Sequence, residues 1–267
     1  NQEVFVREGF AVPPKPRQAN FYPADASREE VEAWIATLTP EAAAVATGFF
    51  SGIRRGADGH LRAVPYRMAY HQTLTAIAAD LRGAARATET PSLRRFLETR
   101  ADAMLTDDYY ASDLAWMQLD APIEPTIGPY ETYEDECFGY KAAFEAFIAV
   151  RDDAETARLA TFGRHLQAVE SALPIDPRFR NPALGALAPI RVVNLIFAAG
   201  DGNRGVQTAA FNLPNDERII REQGAKRVML KNVQDAKFRH VLLPIARLAL
   251  DPADHARVSF DAFFAHI

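Results

Sequence analysis

Pro122-Ile123-Glu124-Pro125-Thr126-Ile127-Gly128-Pro129-Tyr130-Glu131-Thr132-Tyr133-Glu134-Asp135-Glu136 is the stretch at which the chain changes character. Pro122, Pro125 and Pro129 forbid a continuous helix, because each removes a backbone N–H and sets its ring against the preceding turn. An acidic, aromatic segment follows. Upstream the apolar residues recur with helical period, and downstream β-branched and aromatic runs alternate with helical ones. The expectation is an α+β protein, predominantly helical, with an N-terminal arm and helical region over 1–120 and a mixed region with a small β-sheet over 121–267.

Working towards the N-terminus, helices are predicted at Pro91 to about Leu105 (Leu93, Phe96, Leu97, Met104), Tyr70 to about Ala87 (Leu74, Ile77, Leu81) and Pro40 to about Ile53. A further helix starts at Ser27, where Ser27 and Glu30 make a capping-box pattern ahead of Val31, Trp34, Ile35 and Leu38. Residues 1–26, with Pro13, Pro14, Pro16 and Pro23, read as an extended arm. Towards the C-terminus, Phe144 to Val150 suits a strand, although Ala142 to Ala149 would also accept a helix. Residues 152–173 suit an amphipathic helix. Ile190 to Ala199 and Val206 to Leu213 suit strands, and helices are predicted at about 232–248 and 258–267. The last of these ends on the apolar face of Phe260, Phe263, Phe264 and Ile267 without a glycine stop or a polar tail, which predicts a helix that continues past Ile267.

The 267 residues are 48% hydrophobic and 24% charged, with a formal charge of −5. That composition is globular. Its scattered cations give no basic stripe for phosphates, so nucleic acid is not an expected partner. No run of 18 apolar residues offers a membrane span. The reading is a soluble protein, cytoplasmic or periplasmic, with the compartment left undetermined. Cys137 is the single cysteine and is expected to be a small buried hydrophobe.

Few motifs carry chemistry. The histidines His60, His71, His165, His240, His255 and His266 include no pair at the i, i+4 spacing that places two imidazoles on one helix face, so no zinc site is expected within this chain. Gly200-Asp201-Gly202-Asn203-Arg204-Gly205 matches a dinucleotide turn in its glycine spacing. A strand-like segment follows it instead of the helix that a pyrophosphate needs. A glycine hairpin between two strands is the favoured reading, and a nucleotide-binding oxidoreductase the disfavoured one. Arg221-Glu222-Gln223-Gly224 resembles the end of a Nudix box, but the paired glutamates that would hold magnesium are not at the required spacing. No nucleophile elbow is present.

Two polar segments remain. Glu124 lies among prolines and Ile127, where partial burial suits a carboxylate to an amine cation. Asn212 and Asn215 flank Leu213-Pro214, and a carboxamide both donates and accepts, as gripping a peptide backbone demands. Ordinary turn roles remain open for all three.

Trp116-Met117-Gln118, Pro122-Ile123-Glu124, Ile127-Gly128-Pro129-Tyr130-Glu131-Thr132-Tyr133-Glu134-Asp135, Phe144-Glu145-Ala146-Phe147, Asn212-Leu213-Pro214-Asn215 and Lys231-Asn232-Val233 resemble, in order and spacing, the bacterial pattern of the dipeptidyl peptidase III family. The resemblance implies part of a two-lobed zinc peptidase that removes dipeptides from peptide N-termini. It implies Glu124 as the anchor of the substrate ammonium, and Asn212 and Asn215 as holders of its backbone. Thr126 stands where animal members carry a tyrosine that stabilises the tetrahedral intermediate. The catalytic residues and the zinc ligands are expected beyond Ile267, with zinc in the full-length protein and with short peptides and the missing C-terminal part as expected partners. This chain alone is then expected to be inactive. The alternative is a stand-alone peptide-binding or interaction module without catalysis.

Overall fold

A computed structural model describes residues 17–163, 165–181, 190–203 and 208–264. Most of the expected N-terminal arm, the end of the glycine motif at Arg204 and Gly205, and the last residues of the expected terminal helix, His266 included, lie outside them. The chain divides into two compact units.

The first unit comprises residues 1–121, 126–146 and 198–206. Helix α1 (Arg28–Ile35) starts as its capping pattern predicts, with Ser27 Oγ accepting from the Glu30 N–H at 3.1 Å. Helix α2 (Pro40–Ala46) is capped by Thr39 and stops seven residues short of Ile53. The chain then makes a hairpin instead, β1 (Ser51–Arg55) antiparallel to β2 (Leu61–Pro65). Its loop contains Gly59 at φ 82°, and Asp58 accepts from the His60 N–H. One turn, α3 (Tyr66–Ala69), leads into the long helices α4 (His71–Ala87) and α5 (Pro91–Thr106), which pack against each other, and into α6 (Tyr110–Met117). The buried faces carry Leu74, Ala78, Leu81 and Ala85 on α4 and Leu93, Phe96, Leu97 and Met104 on α5.

Charges sit in this core. Arg100 is fully buried, with Nη2 donating to Asp113 at 2.6 Å and to the Tyr130 hydroxyl, while its guanidinium faces the rings of Phe96, Tyr109 and Tyr130 at 5.2–5.3 Å. Tyr130 donates in turn to Asp113 at 2.6 Å. Lys141 Nζ donates to the carbonyls of Ala46 and Gly48 and to Ser51 Oγ. Asp135 accepts from the Tyr22 hydroxyl and from the N–H groups of Cys137, Phe138, Tyr140 and Lys141, so one carboxylate ties the 135–141 loop. Cys137 is buried and free of a disulfide.

The second unit comprises residues 122–125, 147–197 and 207–267. A five-stranded sheet runs in the order β3-β4-β5-β7-β6, with β3 Ile123–Glu131, β4 Ala143–Arg151, β5 Ile190–Gly200, β6 Ala210–Leu213 and β7 Lys226–Leu230. β5 and β7 are parallel, and β6 and β7 antiparallel. The glycine motif is therefore no hairpin: its two flanking strands do not pair, because β7 lies between them. Two contacts join strands three places apart in this order, Glu124 on β3 to Lys226 on β7 and the stacked rings of Phe147 on β4 and Phe211 on β6, 5.3 Å between centroids. Across a flat sheet such strands lie about 14 Å apart. The sheet curls, and these side chains fill its concave face.

Helices connect and follow these strands along the chain. The helix expected over 152–173 is two, α7 (Asp153–Gly163) and α8 (Leu166–Ser171), the first ending on a glycine. An unexpected helix, α9 (Glu217–Gln223), is capped by Asp216. The helix expected over 232–248 runs as α10 (Lys231–Lys237), a widened π turn over Phe238–Leu242, and α11 (Leu243–Ala249). Pro244, which has no N–H for the carbonyl four residues back, accounts for the widening. Helix α12 (Phe260–Phe264) closes the described chain. No helix among the described residues is long and apolar enough to cross a membrane.

Candidate functional site

β6 is an edge strand, and the direction of its backbone groups follows from its register. The Leu230 N–H donates to the Ala209 carbonyl, which makes 209 and 230 a hydrogen-bonded pair. Such pairs alternate along an antiparallel ladder. Phe211 and Leu213 therefore direct their N–H and C=O groups at β7, opposite Val228 and Lys226, while Ala210 and Asn212, opposite Met229 and Arg227, direct theirs at the open edge. Side chains alternate as well: Leu213 is buried, whereas Asn212 is exposed and makes no side-chain hydrogen bond among the described residues. The Leu213–Pro214 peptide is cis, and Asn215, just after it, is half-buried.

Glu124 lies on the other side of this segment. It is 1% exposed, and Oε1 accepts from Lys226 Nζ, whose side chain is equally buried. Lys226 is paired with Leu213 across the β6–β7 ladder. A single residue thus links Glu124 to the segment holding both asparagines. The three expected residues nevertheless face differently, with Glu124 inside the curl and the Asn212 side chain outside it. Burial pushes the Glu124 carboxyl up and the Lys226 ammonium down, and each is opposed by the charge of the other. Arg191 and Arg151 add positive charge near Glu124. Glu124 Oε2 is buried with no hydrogen-bond partner among the described residues. The carboxylate thus holds an alkylammonium, that of Lys226. Thr126, further along β3, is 1% exposed.

Sequence reading missed Lys226 and the roles of its neighbours. Lys231 bridges Asp152 at 3.0 Å and Glu155 at 3.1 Å. Asn232 clamps the backbone of β5, its Oδ1 accepting from the Leu195 N–H and its Nδ2 donating to the Leu195 carbonyl, both at 2.9 Å. No local pattern marks such contacts, since their partners lie tens of residues away.

The family model for peptidase family M49 matches residues 60–249, so this chain belongs to that family of peptidases. Within it the resemblance is to dipeptidyl peptidase III. The chain is 60% identical to the structure of dipeptidyl-peptidase III from Corallococcus sp. strain EGB, with a TM-score of 0.85 over 96% of this chain and 48% of that one. For the enzyme from Caldithrix abyssi the identity is 49% and the TM-score 0.89, over 97% and 49%. Human dipeptidyl peptidase 3 is 32% identical over 120 residues, 44% of this chain and 15% of that protein. An Arabidopsis thaliana protein called Nudix hydrolase 3 is 44% identical over 272 residues, 94% of this chain and 35% of that protein. The chain spans about half the length of these solved relatives and about a third or less of the curated ones.

Peptidases of this family are zinc-dependent. The described residues do not fit that ion: the only group of three candidate ligands among them is Glu131, Glu134 and Asp201, an all-oxygen set with no imidazole or thiolate. No step through zinc is derived from them.

Proposed function

We propose that this chain grips the peptide substrate of a zinc-dependent dipeptidyl peptidase, with the open edge of β6 as the grip. The observation that carries this is the register of β6. An extended peptide laid along it meets the N–H and C=O of Ala210 and Asn212, which no strand of the sheet takes up. Backbone pairing of this kind ignores side chains. It suits an enzyme that takes many short peptides. In this reading Asn212 and Asn215 add carboxamide contacts to the peptide backbone.

Glu124 enters as the acceptor of the substrate's ammonium. The Lys226 ammonium that it holds is chemically the group that a free peptide N-terminus would present, and Oε2 is an acceptor without a partner among the described residues. Exchange of one ammonium for the other would let the enzyme count two residues from the peptide's end. Hydrolysis also needs a Lewis acid and a general base. In this reading the chain binds and orients, and it does not hydrolyse peptides without zinc held by residues outside those described.

Calorimetric titration of this chain with a short, unblocked peptide tests the grip. Binding should weaken about tenfold or more when the peptide amide facing the Asn212 carbonyl is N-methylated, the loss of one hydrogen bond and a steric clash together. Equal affinity for every singly N-methylated peptide would refute strand addition. Equal affinity for N-acetylated and free peptides would refute the part given to Glu124 and leave the edge reading standing.

A further inference from the structure

Three carboxylates meet at one end of β3, β4 and β5, within the first unit, and a fourth acts on two of them. Glu131 ends β3, Glu145 lies on β4, and Asp201 follows Gly200, the last residue of β5. Gly200 holds this junction closed. With φ at 64° it lies so near β4 that a Cβ there would stand 2.3 Å from the Phe144 carbonyl oxygen and 3.2 Å from the Glu145 Cα. Asp201 is thereby set beside Glu145. Oxygens of Glu131, Glu134 and Asp201 all lie within 4.8 Å of one another. The Glu131 carboxylate is oriented by the N–H groups of Tyr133 and Glu134, at 2.7 and 2.9 Å.

Behind this trio lies a second feature that calls for a cation. Glu145 occupies the inward face of β4 in alternation with Phe147 and Ala149, where an apolar residue would normally stand, and it is 8% exposed. No donor reaches its carboxyl among the described residues, while Glu131 and Asp201 are close enough to act on its charge. Burial first, then those two neighbours, pushes it up to about 8. A buried carboxylate without a donor, facing further carboxylates, must take up a proton or be joined by a cation.

We propose that Glu131, Glu134, Asp201 and Glu145 form a binding site for a divalent calcium ion. The donors are all oxygens, which select a hard cation over zinc. Several carboxylates from three strand ends suit calcium, which takes about six to eight oxygens in a flexible arrangement, whereas magnesium demands a near-ideal octahedron and usually keeps several waters beside one or two carboxylates. The ion would fasten the ends of three adjacent strands and so fix the turn after Gly200.

Calorimetry and thermal melting of the chain after chelator treatment, with calcium chloride, magnesium chloride and sodium chloride at matched ionic strength, test the site. Calcium alone should bind and raise the melting temperature. Glu131→Gln and Asp201→Asn should each weaken binding by about tenfold or more, with Asp153→Asn as an acidic control that leaves it unchanged. Glu145→Gln, which keeps shape and fold, should weaken it comparably. Absence of both heat and melting shift up to about 10 mM calcium, beyond the weakest protein sites, would overturn the proposal. So would calcium binding that survives Glu145→Gln and Asp201→Asn in folded protein, and so would magnesium binding as tight as calcium.

Discussion

Lys226→Met should be among the most destabilising single changes in the second unit. Both members of the Lys226–Glu124 pair are fully excluded from water. Two unit charges about 4 Å apart at an effective dielectric of about 20 attract by about 4 kcal/mol, and desolvation of the ions cancels much of that. Breaking the pair differs from removing it. Lys226→Met strands a carboxylate whose Oε2 already has no partner among the described residues, at a cost of about 3–5 kcal/mol. Arg151 and Arg191 soften this, which puts Lys226→Met at the lower end. Glu124→Leu leaves Lys226 among those arginines and belongs at the upper end. The double variant Glu124→Leu/Lys226→Met carries neither stranded charge and should cost less than either single. Urea denaturation with a double-mutant cycle measures all three. If Lys226→Met costs under about 1 kcal/mol with an unchanged m value, the pair is solvated and the reasoning fails.

Lys141 should imprint a pH dependence. Burial lowers its ammonium to about 8 from an ordinary value of 10.5. The unfolded chain therefore holds more protons between those values, so stability should rise as pH climbs from about 8 to 10.5, by up to about 3 kcal/mol. Lys141→Met should flatten that rise in melting curves taken across the range. Gly200→Ala should destabilise by about 2–5 kcal/mol, since the methyl group meets the Phe144 carbonyl and the left-handed backbone adds strain, and denaturant titration measures it. The Cys137 thiol, raised by burial, should resist an aromatic disulfide reagent in the native protein and react once denaturant opens the fold.

Where structure follows from neighbours in the chain, it was legible. The Ser27 cap, the α4 and α5 stripes and the strands at 143–151 and 190–200 all arise from local periodicity or capping. The β1–β2 hairpin was not, because Ser-Gly-Ile-Arg-Arg and Leu-Arg-Ala-Val-Pro are short and charged, with weak alternation. β7 hid for the same reason, as Lys226 and Arg227 look like surface residues until the curl encloses one of them. Each buried cation reads as solvated when its partner is remote: Lys226 meets a residue 102 positions away and Lys141 one 90 positions away. The candidate site was legible as chemistry and not as geometry. Asn212 and Asn215 could be picked out by their carboxamides, but which way β6 turns its backbone depends on pairing with a strand that the sequence did not disclose.

The parallel pairing of β5 with β7 keeps a constant offset, from Ile190 with Arg227 to Val193 with Leu230. Carried two steps further, that offset would match Leu195 with Asn232, whose backbone has already turned into α10. The Asn232 carboxamide impersonates the peptide unit that departed, giving Leu195 one donor and one acceptor in its place. An aspartate would offer no donor and a leucine neither group. The strand is thus spliced to the start of a helix through one amide, and β5 cannot slide along β7 without tearing that splice.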